Sequence, residues 1–220
     1  GARLGDRLVH PDELSAPQRA LAAGGAAARS RAAQAETAGL RAIAFSRDRP
    51  LQLHALITSY LSAFDDAPLL RVLYSTSSAR MQAAYEQLAA EFAGKRVELH
   101  AEVDFRLDLL RELEMAGSER VFFLVDDIVF IRPVQTADLL DYPTESHIFS
   151  LRLSPAITYS YTREENETPP SFTEADAGRL REWNWAGGEI DWGYAFSVDG
   201  HVFAAAELLE LARQIQFRAP

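Results

Sequence analysis

The stretch Val121-Phe122-Phe123-Leu124-Val125-Asp126-Asp127-Ile128-Val129-Phe130-Ile131 decides how the chain is read. Two apolar runs of strand type meet at two adjacent carboxylates. The first run is apolar without a break, as a strand buried on both faces of a sheet requires. Like charges closing such a strand repel each other and desolvate badly unless something pairs with them. A divalent cation would remove that cost. The competing reading is a β-turn, in which Asp simply suits the turn conformation. The apolar flanks argue for a metal site at the carboxyl end of a central strand, placed to hold a phosphorylated substrate.

Working outward toward the N-terminus, three strand–helix units lead into this stretch. Leu40 to Phe45 reads as a strand that ends in the polar turn Ser46-Arg47-Asp48-Arg49-Pro50. Pro50 suits a first helical turn, with Asp48 near the cap. Leu53, Ile57, Tyr60, Leu61 and Phe64 then recur at helical spacing. Leu69 to Tyr74 is a second strand, followed by the turn and cap Ser75 to Ser78. Met81, Tyr85, Leu88 and Phe92 mark the next helix. Val97 to Ala101 is a short strand. Phe105, Leu109, Leu110 and Leu113 mark a third helix, stopped by Gly117. This alternation predicts one α/β domain, a Rossmann-like and mostly parallel sheet covered by helices, with ligands outside the carboxyl ends of the strands. The turns at Ser46–Arg49 and Ser75–Ser78 and the Asp pair should share that edge.

The chain after residue 133 reads differently. Thr136 to Leu140 suggests a short helix and His147 to Leu153 a strand. Thr158 to Gly178 is polar and reads as a long loop, a kind of segment that is often functional. Trp183 to Gly193 is rich in Trp and Gly. Tyr194 to Val198 is expected as a last strand and Val202 to Ile215 as a final helix. Residues 1–39, rich in Ala and Arg, form an N-terminal helical arm, with a capping box at Ser15 and Gln18. The arm is either peripheral or an oligomer contact. The expected organisation is this arm plus a domain over 40–220, with a ligand-binding half at 40–133 and a second half at 134–220.

Totals narrow the classes. The 220 residues carry 32 acidic against 22 basic groups, a formal charge of -10. General nucleic-acid binding needs a basic surface and is excluded. There are no cysteines, so disulfides, cysteine–zinc sites and thiol nucleophiles are excluded. No apolar run approaches a membrane span, and no secretory pattern opens the chain, so a cytoplasmic protein without a transmembrane segment is expected. Walker, GxGxxG, GxSxG and HExxH patterns are missing.

Several residues could carry chemistry. Asp126 and Asp127 suit magnesium or manganese, which take few protein carboxylates and leave places for phosphate oxygens. Ser46, Arg47, Asp48 and Arg49 open a helix, a position suited to an anion or nucleotide, and Asp48 could accept from a base or ribose. A solvated helix cap is the plainer alternative. Ser75 belongs to the second turn on that edge. Arg106 could reach a diphosphate there or form a surface ion pair. Trp185 and Trp192 are either core anchors or stacking platforms for a sugar. Glu189 and Asp191 face the same way if that segment is extended, and one of them would serve as general base. Gly187 and Gly188 would let the backbone approach a ligand. His201 is a weaker candidate ligand.

The stretches Ile43 to Pro50, Asp104-Phe105-Arg106 and Val125-Asp126-Asp127-Ile128 together resemble the GT-A class of nucleotide-sugar glycosyltransferases, with a layout also similar to its exostosin-like branch. Trp192-Gly193-Tyr194 and Ser197 to His201 resemble uncharacterised bacterial sequences of this kind. The resemblance covers residue 40 to the end. It implies a UDP- or GDP-sugar donor, Mn²⁺ or Mg²⁺, and a hydroxyl acceptor such as a glycan. It places Ser46 to Arg49 at the nucleotide, Asp127 on the metal, Asp126 toward ribose or metal, and Asp191 or Glu189 as base in an inverting reaction. Asp-Asp-Ile departs from the family's Asp-x-Asp. The rival classes are a sugar-phosphate nucleotidyltransferase and a non-catalytic sugar-binding module.

Overall fold

The computed structural model describes residues 39–117 and 119–220, together with the backbone of two short strands near the N-terminus. Those two strands, β1 (Ala2–Leu4) and β2 (Arg7–Val9), pair antiparallel. The expected helical arm, with Ser15 and Gln18, otherwise lies outside the described residues. The chain divides at Ala38/Gly39.

From Gly39 onward the order is β3 (Leu40–Arg47), α1 (Pro50–Ala63), β4 (Leu69–Ser75), α2 (Ala79–Glu91), β5 (Val97–Ala101), α3 (Phe105–Ala116) and β6 (Arg120–Val125). The chain continues with α4 (Thr136–Leu140), β7 (Phe149–Ser150), β8 (Tyr159–Ser160), β9 (Glu165–Asn166), β10 (Thr173–Ala175) and β11 (Leu180–Glu182). It closes with β12 (His201–Ala204) and α5 (Ala205–Gln214). A six-stranded sheet runs β5-β4-β3-β6-β12-β7. β5, β4, β3 and β6 are parallel. β12 is antiparallel to both β6 and β7. This is the mixed α/β, mostly parallel architecture that the alternation predicts.

The central strands are buried on both faces, which explains their unbroken apolar runs. Phe122 and Leu124 of β6 pack with Ala42 and Ala44 of β3 and with Leu53, Ile57 and Tyr60 of α1. Val121 and Phe123 point the other way, to Ile43, Phe45, Leu109, Leu113 and Ala212. Helices α1 and α2 thus cover one face, and α3 and α5 the other. Phe122 has no exposed surface, so truncating it would cost about 3–5 kcal/mol.

Three expectations change. Val129 to Ile131 is not a strand: β6 stops at Val125, and the Ile128 N–H turns back onto the Val125 carbonyl. Ile128 and Phe130 pack on the core while Val129 and Ile131 are exposed, and the Phe130 N–H donates to Ser59 Oγ. Tyr194 to Val198 is not a strand either. The free edge of β6 is taken by His201–Ala204, which had read as the start of the last helix. The polar segment 158–178 carries the small antiparallel pairing β8 with β9 and supplies β10, which pairs with β11 just beyond it, and the expected strand at His147–Leu153 shrinks to Phe149–Ser150. Among the described residues, no helix is long and apolar enough to cross a membrane.

Candidate functional site

The parallel register of β3 and β6 aligns Phe45 with Val125. The next residue on each strand is therefore Ser46 beside Asp126, at the carboxyl edge of the sheet. Both are buried, and Ser46 Oγ donates to Asp126 Oδ2 at 2.8 Å. Arg49 bridges the pair of carboxylates, with Nη1 at 3.1 Å from Asp126 Oδ1 and 3.0 Å from Asp127 Oδ2. These contacts raise the Arg49 guanidinium above its ordinary value, the hydrogen bond to Asp126 first and that to Asp127 second.

Tyr85 of α2 completes the cluster. Its hydroxyl lies 2.5 Å from Ser46 Oγ and accepts the Arg49 N–H at 3.1 Å. Ser46 has one proton, already given to Asp126, so Tyr85 must be the donor to Ser46. The bonds then run in one direction: Arg49 N–H to Tyr85, Tyr85 O–H to Ser46, Ser46 O–H to the Asp126 carboxylate. Such a chain polarises cooperatively toward its charged end. Tyr85 is held in place by stacking on Tyr74, with centroids 4.4 Å apart and rings 5° from parallel. Its phenol is raised above the ordinary value chiefly by burial, with the Ser46 bond opposing. The helical spacing of Met81, Tyr85, Leu88 and Phe92 marked Tyr85 only as a helix residue. The signal for its second role, a polar tip reaching a polar turn, appears only once the sheet has folded.

A cavity of about 490 Å³ opens at this edge. Arg47, Arg49, Ser75, Glu102, Asp126 and Asp127 are among its walls. The structure thus brings the two turns and the Asp pair together. Burial is the main cause raising the Glu102 carboxyl, followed by the nearby Asp108 charge. Asp48 links the two turns. It adopts φ 55, accepts the Ser77 N–H on Oδ1 at 2.7 Å, and donates its own N–H to the Ser75 carbonyl. It thereby ties the two turns together, and the Ser77 hydrogen bond holds its carboxyl below the usual range. Arg106 is elsewhere. It donates to the carbonyls of Ala212, Arg213 and Ile215 and lies over the Phe217 ring, capping the carboxyl end of α5.

Whether a cation fits depends on the free oxygens. Both oxygens of Asp126 are engaged by protein groups, whereas Asp127 is engaged on Oδ2 alone. No cluster of three or more His, Cys, Asp or Glu suited to a metal occurs among the described residues. The arrangement fits a divalent ion held by Asp127 Oδ1 with phosphate oxygens and water, the mode common for magnesium. It does not supply a cage made by the protein alone.

The second half forms a separate cavity of about 440 Å³. Trp192 is 1% exposed and sits in a T-shaped cluster with Trp183 at 5.3 Å and Phe172 at 5.5 Å, while Trp185 is 51% exposed at the wall. Trp183 Nε1 donates to the Trp192 carbonyl. His201 lines this cavity, away from the Asp pair. Its Nδ1 lies 2.8 Å from the Ala195 carbonyl, and burial depresses its pKa. It is therefore placed as a neutral wall residue and not beside Asp126 and Asp127.

Glu189 and Asp191 do not share a face, because Ile190–Gly193 is a 3-10 turn and not extended. Asp191 accepts from Arg152 at 3.2 Å and from Ser160 at 3.5 Å, and its N–H donates to Glu167. Glu189 is exposed. Sequence reasoning missed Arg152 and Glu167, whose partners are 24 or more residues away. Gly188 is required by the backbone, since a Cβ there would lie 2.5 Å from the Trp192 carbonyl oxygen. Nothing comparable faces Gly187.

The fold and site define an α/β chain with a charged, hydrogen-bonded cluster at the carboxyl edge of a parallel sheet. No family model and no curated protein matches the chain. Among solved structures it is similar to S. aureus TarS in complex with UDP-GlcNAc, at 13% identity and TM-score 0.45, over 78% of this chain and 47% of that one. A second TarS structure matches at 12% identity and TM-score 0.43, over 78% and 48%. The chain spans about half the length of these solved chains.

Proposed function

We propose that this chain transfers a sugar from a nucleoside-diphosphate donor to a hydroxyl acceptor, with the donor in the sheet-edge cavity. The observation that carries the reading is the Ser46–Asp126–Arg49–Asp127 cluster in that cavity. A donor diphosphate needs positive charge where its glycosidic bond breaks, since the bonding electrons leave with the phosphate. Arg49 and Arg47 supply that charge from the chain. The buried Asp126, fixed by Ser46 and Tyr85, holds the Arg49 guanidinium in position so that little reorganisation is needed. A magnesium or manganese ion on Asp127 would add a Lewis acid to the leaving diphosphate. Ser75 and Glu102 close the cavity wall beside the nucleotide.

The acceptor belongs in the second half, against Trp185 and Trp192 and the 158–182 segment. Asp191, held by Arg152 and Ser160, orders that segment. The test is donor hydrolysis and transfer. UDP-GlcNAc, the ligand of one TarS structure, is the first donor to assay, followed by other UDP- and GDP-sugars, each with and without Mn²⁺. Release of UDP or GDP that falls in Asp127→Asn supports the reading. Release unchanged by that substitution would refute the metal role, and no release from any donor would refute the activity.

A further inference from the structure

Arg106 caps α5 away from the sheet-edge cavity, yet the residues it holds lead back to that cavity. Ile215 leaves α5 in an extended conformation, with φ -105 and ψ 154. Its carbonyl accepts from Arg106 Nε at 3.2 Å, and the carbonyls of Ala212 and Arg213 accept from Nη2 at 3.3 and 3.1 Å. A cation suits the end of a helix, where the last carbonyls lack partners and the dipole is negative. Two residues further on, the Phe217 ring meets Phe105 edge-on at 5.9 Å, with the Arg106 guanidinium over it at 5.7 Å. Phe105 in turn meets Phe45 at 5.3 Å, and Phe45 immediately precedes Ser46 of the site. Beyond that anchor, Arg218, Ala219 and Pro220 line the sheet-edge cavity together with Arg47, Asp126 and Asp127.

We infer that residues 215–220 form a strap that delivers Arg218 to the sheet-edge cavity as a cation for the phosphate groups of its ligand, with Arg106 and Phe217 as the positioning residues that hold the strap there. That the ligand is a nucleoside diphosphate rests on the glycosyltransferase reading. The delivery of a cation to a phosphorylated anion does not.

Charge explains what the strap adds. The cavity is lined by three carboxylates, Glu102, Asp126 and Asp127, and by three arginines, Arg47, Arg49 and Arg218. Arg49 is already engaged by both Asp126 and Asp127. Among the described residues Arg47 and Arg218 make no ion pair, so their charge is open to a ligand. Without Arg218 the carboxylates outnumber the arginines, and the lining opposes the entry of an anion. A guanidinium also presents paired N–H groups that match phosphate oxygens. Phe217 packs on the core, whereas Arg218, Ala219 and Pro220 are exposed. Loss of the Phe217 or Arg106 contact therefore releases Arg218 and leaves the Ser46–Asp126–Arg49 cluster intact.

The experiment is calorimetric titration of UDP, GDP and inorganic pyrophosphate, each with and without Mg²⁺, into the parent and its variants. At least one probe should bind the parent. Arg218→Ala should bind it about tenfold more weakly, the effect of one charge-assisted contact, and Arg218→Lys should recover part of the loss. Arg106→Ala, a change outside the cavity wall, should weaken binding by a similar factor. Added to Arg218→Ala it should cost nothing further, because the strap then has no cation to deliver. A role of Arg106 in the fold alone would instead weaken the double variant again. Where Arg106→Ala fails to fold, Phe217→Ala takes its place with the same expectation. Equal binding by the parent and Arg218→Ala overturns the inference, and an additive loss in the double variant overturns the positioning role. Nucleotide binding that ignores Arg218 sinks the strap alone. Pyrophosphate binding that needs Arg218, with neither nucleotide bound, sinks the donor assignment alone. No binding of any probe sinks both.

Discussion

The sheet-edge cluster and the second-half cavity meet the cost of buried polar groups in opposite ways. At the sheet edge, Ser46, Tyr85, Arg49 and Asp126 satisfy one another in a directed chain of hydrogen bonds. In the second half, Trp192 and His201 keep one polar atom each without a partner. A cluster satisfied by itself is rigid before a ligand arrives, and such preorganisation is what charge stabilisation at a leaving group requires. Each buried polar atom left without a partner costs about 1–3 kcal/mol, so the second half is the less fully satisfied of the two. The two cavities thus differ in how completely their buried polar atoms are paired.

Substitutions can break that comparison in order of size. Phe122→Ala empties the layer under the sheet-edge site and should cost about 3–5 kcal/mol in denaturant unfolding. A cost under about 1 kcal/mol would mean that this layer does not hold the edge. Ser46→Ala removes the middle of the chain and leaves Tyr85 and Asp126 each short of a partner, for about 2 kcal/mol. Tyr85→Phe should cost about 1 kcal/mol and loosen Arg49, read as weaker nucleotide binding with the fold intact.

The pH dependence sharpens the other side. His201 has a folded pKa depressed by burial, so the unfolded chain takes up its proton first. Its contribution to stability is complete above the ordinary histidine value of about 6.5 and is lost as pH falls from there through the folded value. In His201→Phe that loss should vanish from melting curves recorded across the window. An unchanged slope would show that the ring is not held neutral. The smallest effect is expected for Trp185→Ala, within about 0.5 kcal/mol of the parent in stability, since the side chain is half-exposed.

How far these features could be read in advance depends on the distance over which each is decided. The parallel core follows from local alternation, because Val121 to Val125 and Leu40 to Phe45 are apolar on both faces. The same logic failed at Val129–Ile131 and Tyr194–Val198. There alternating burial reports a sided segment lying on a core, not a ladder partner. Ala195 and Ser197 are buried between the exposed Tyr194 and Phe196, yet the free edge of β6 is filled by the four residues His201–Ala204. Ser46, Arg47, Arg49, Ser75, Asp126 and Asp127 were grouped correctly at one edge by the strand–turn rule. Arg106 was misplaced because α3 and α5 pack on the same face of the sheet, and the carbonyls at the end of α5 compete for its guanidinium. That contact spans more than a hundred residues, and nothing local announces it.

The most direct test of the donor site is calorimetric titration of UDP and of GDP, with and without Mn²⁺, into the parent chain and into Arg49→Ala. At least one nucleotide should bind the parent. Arg49→Ala, which leaves Asp126 and Asp127 facing the diphosphate without their cation, should bind it at least about tenfold more weakly. No binding of either nucleotide under any condition, or equal binding by Arg49→Ala, would contradict the account.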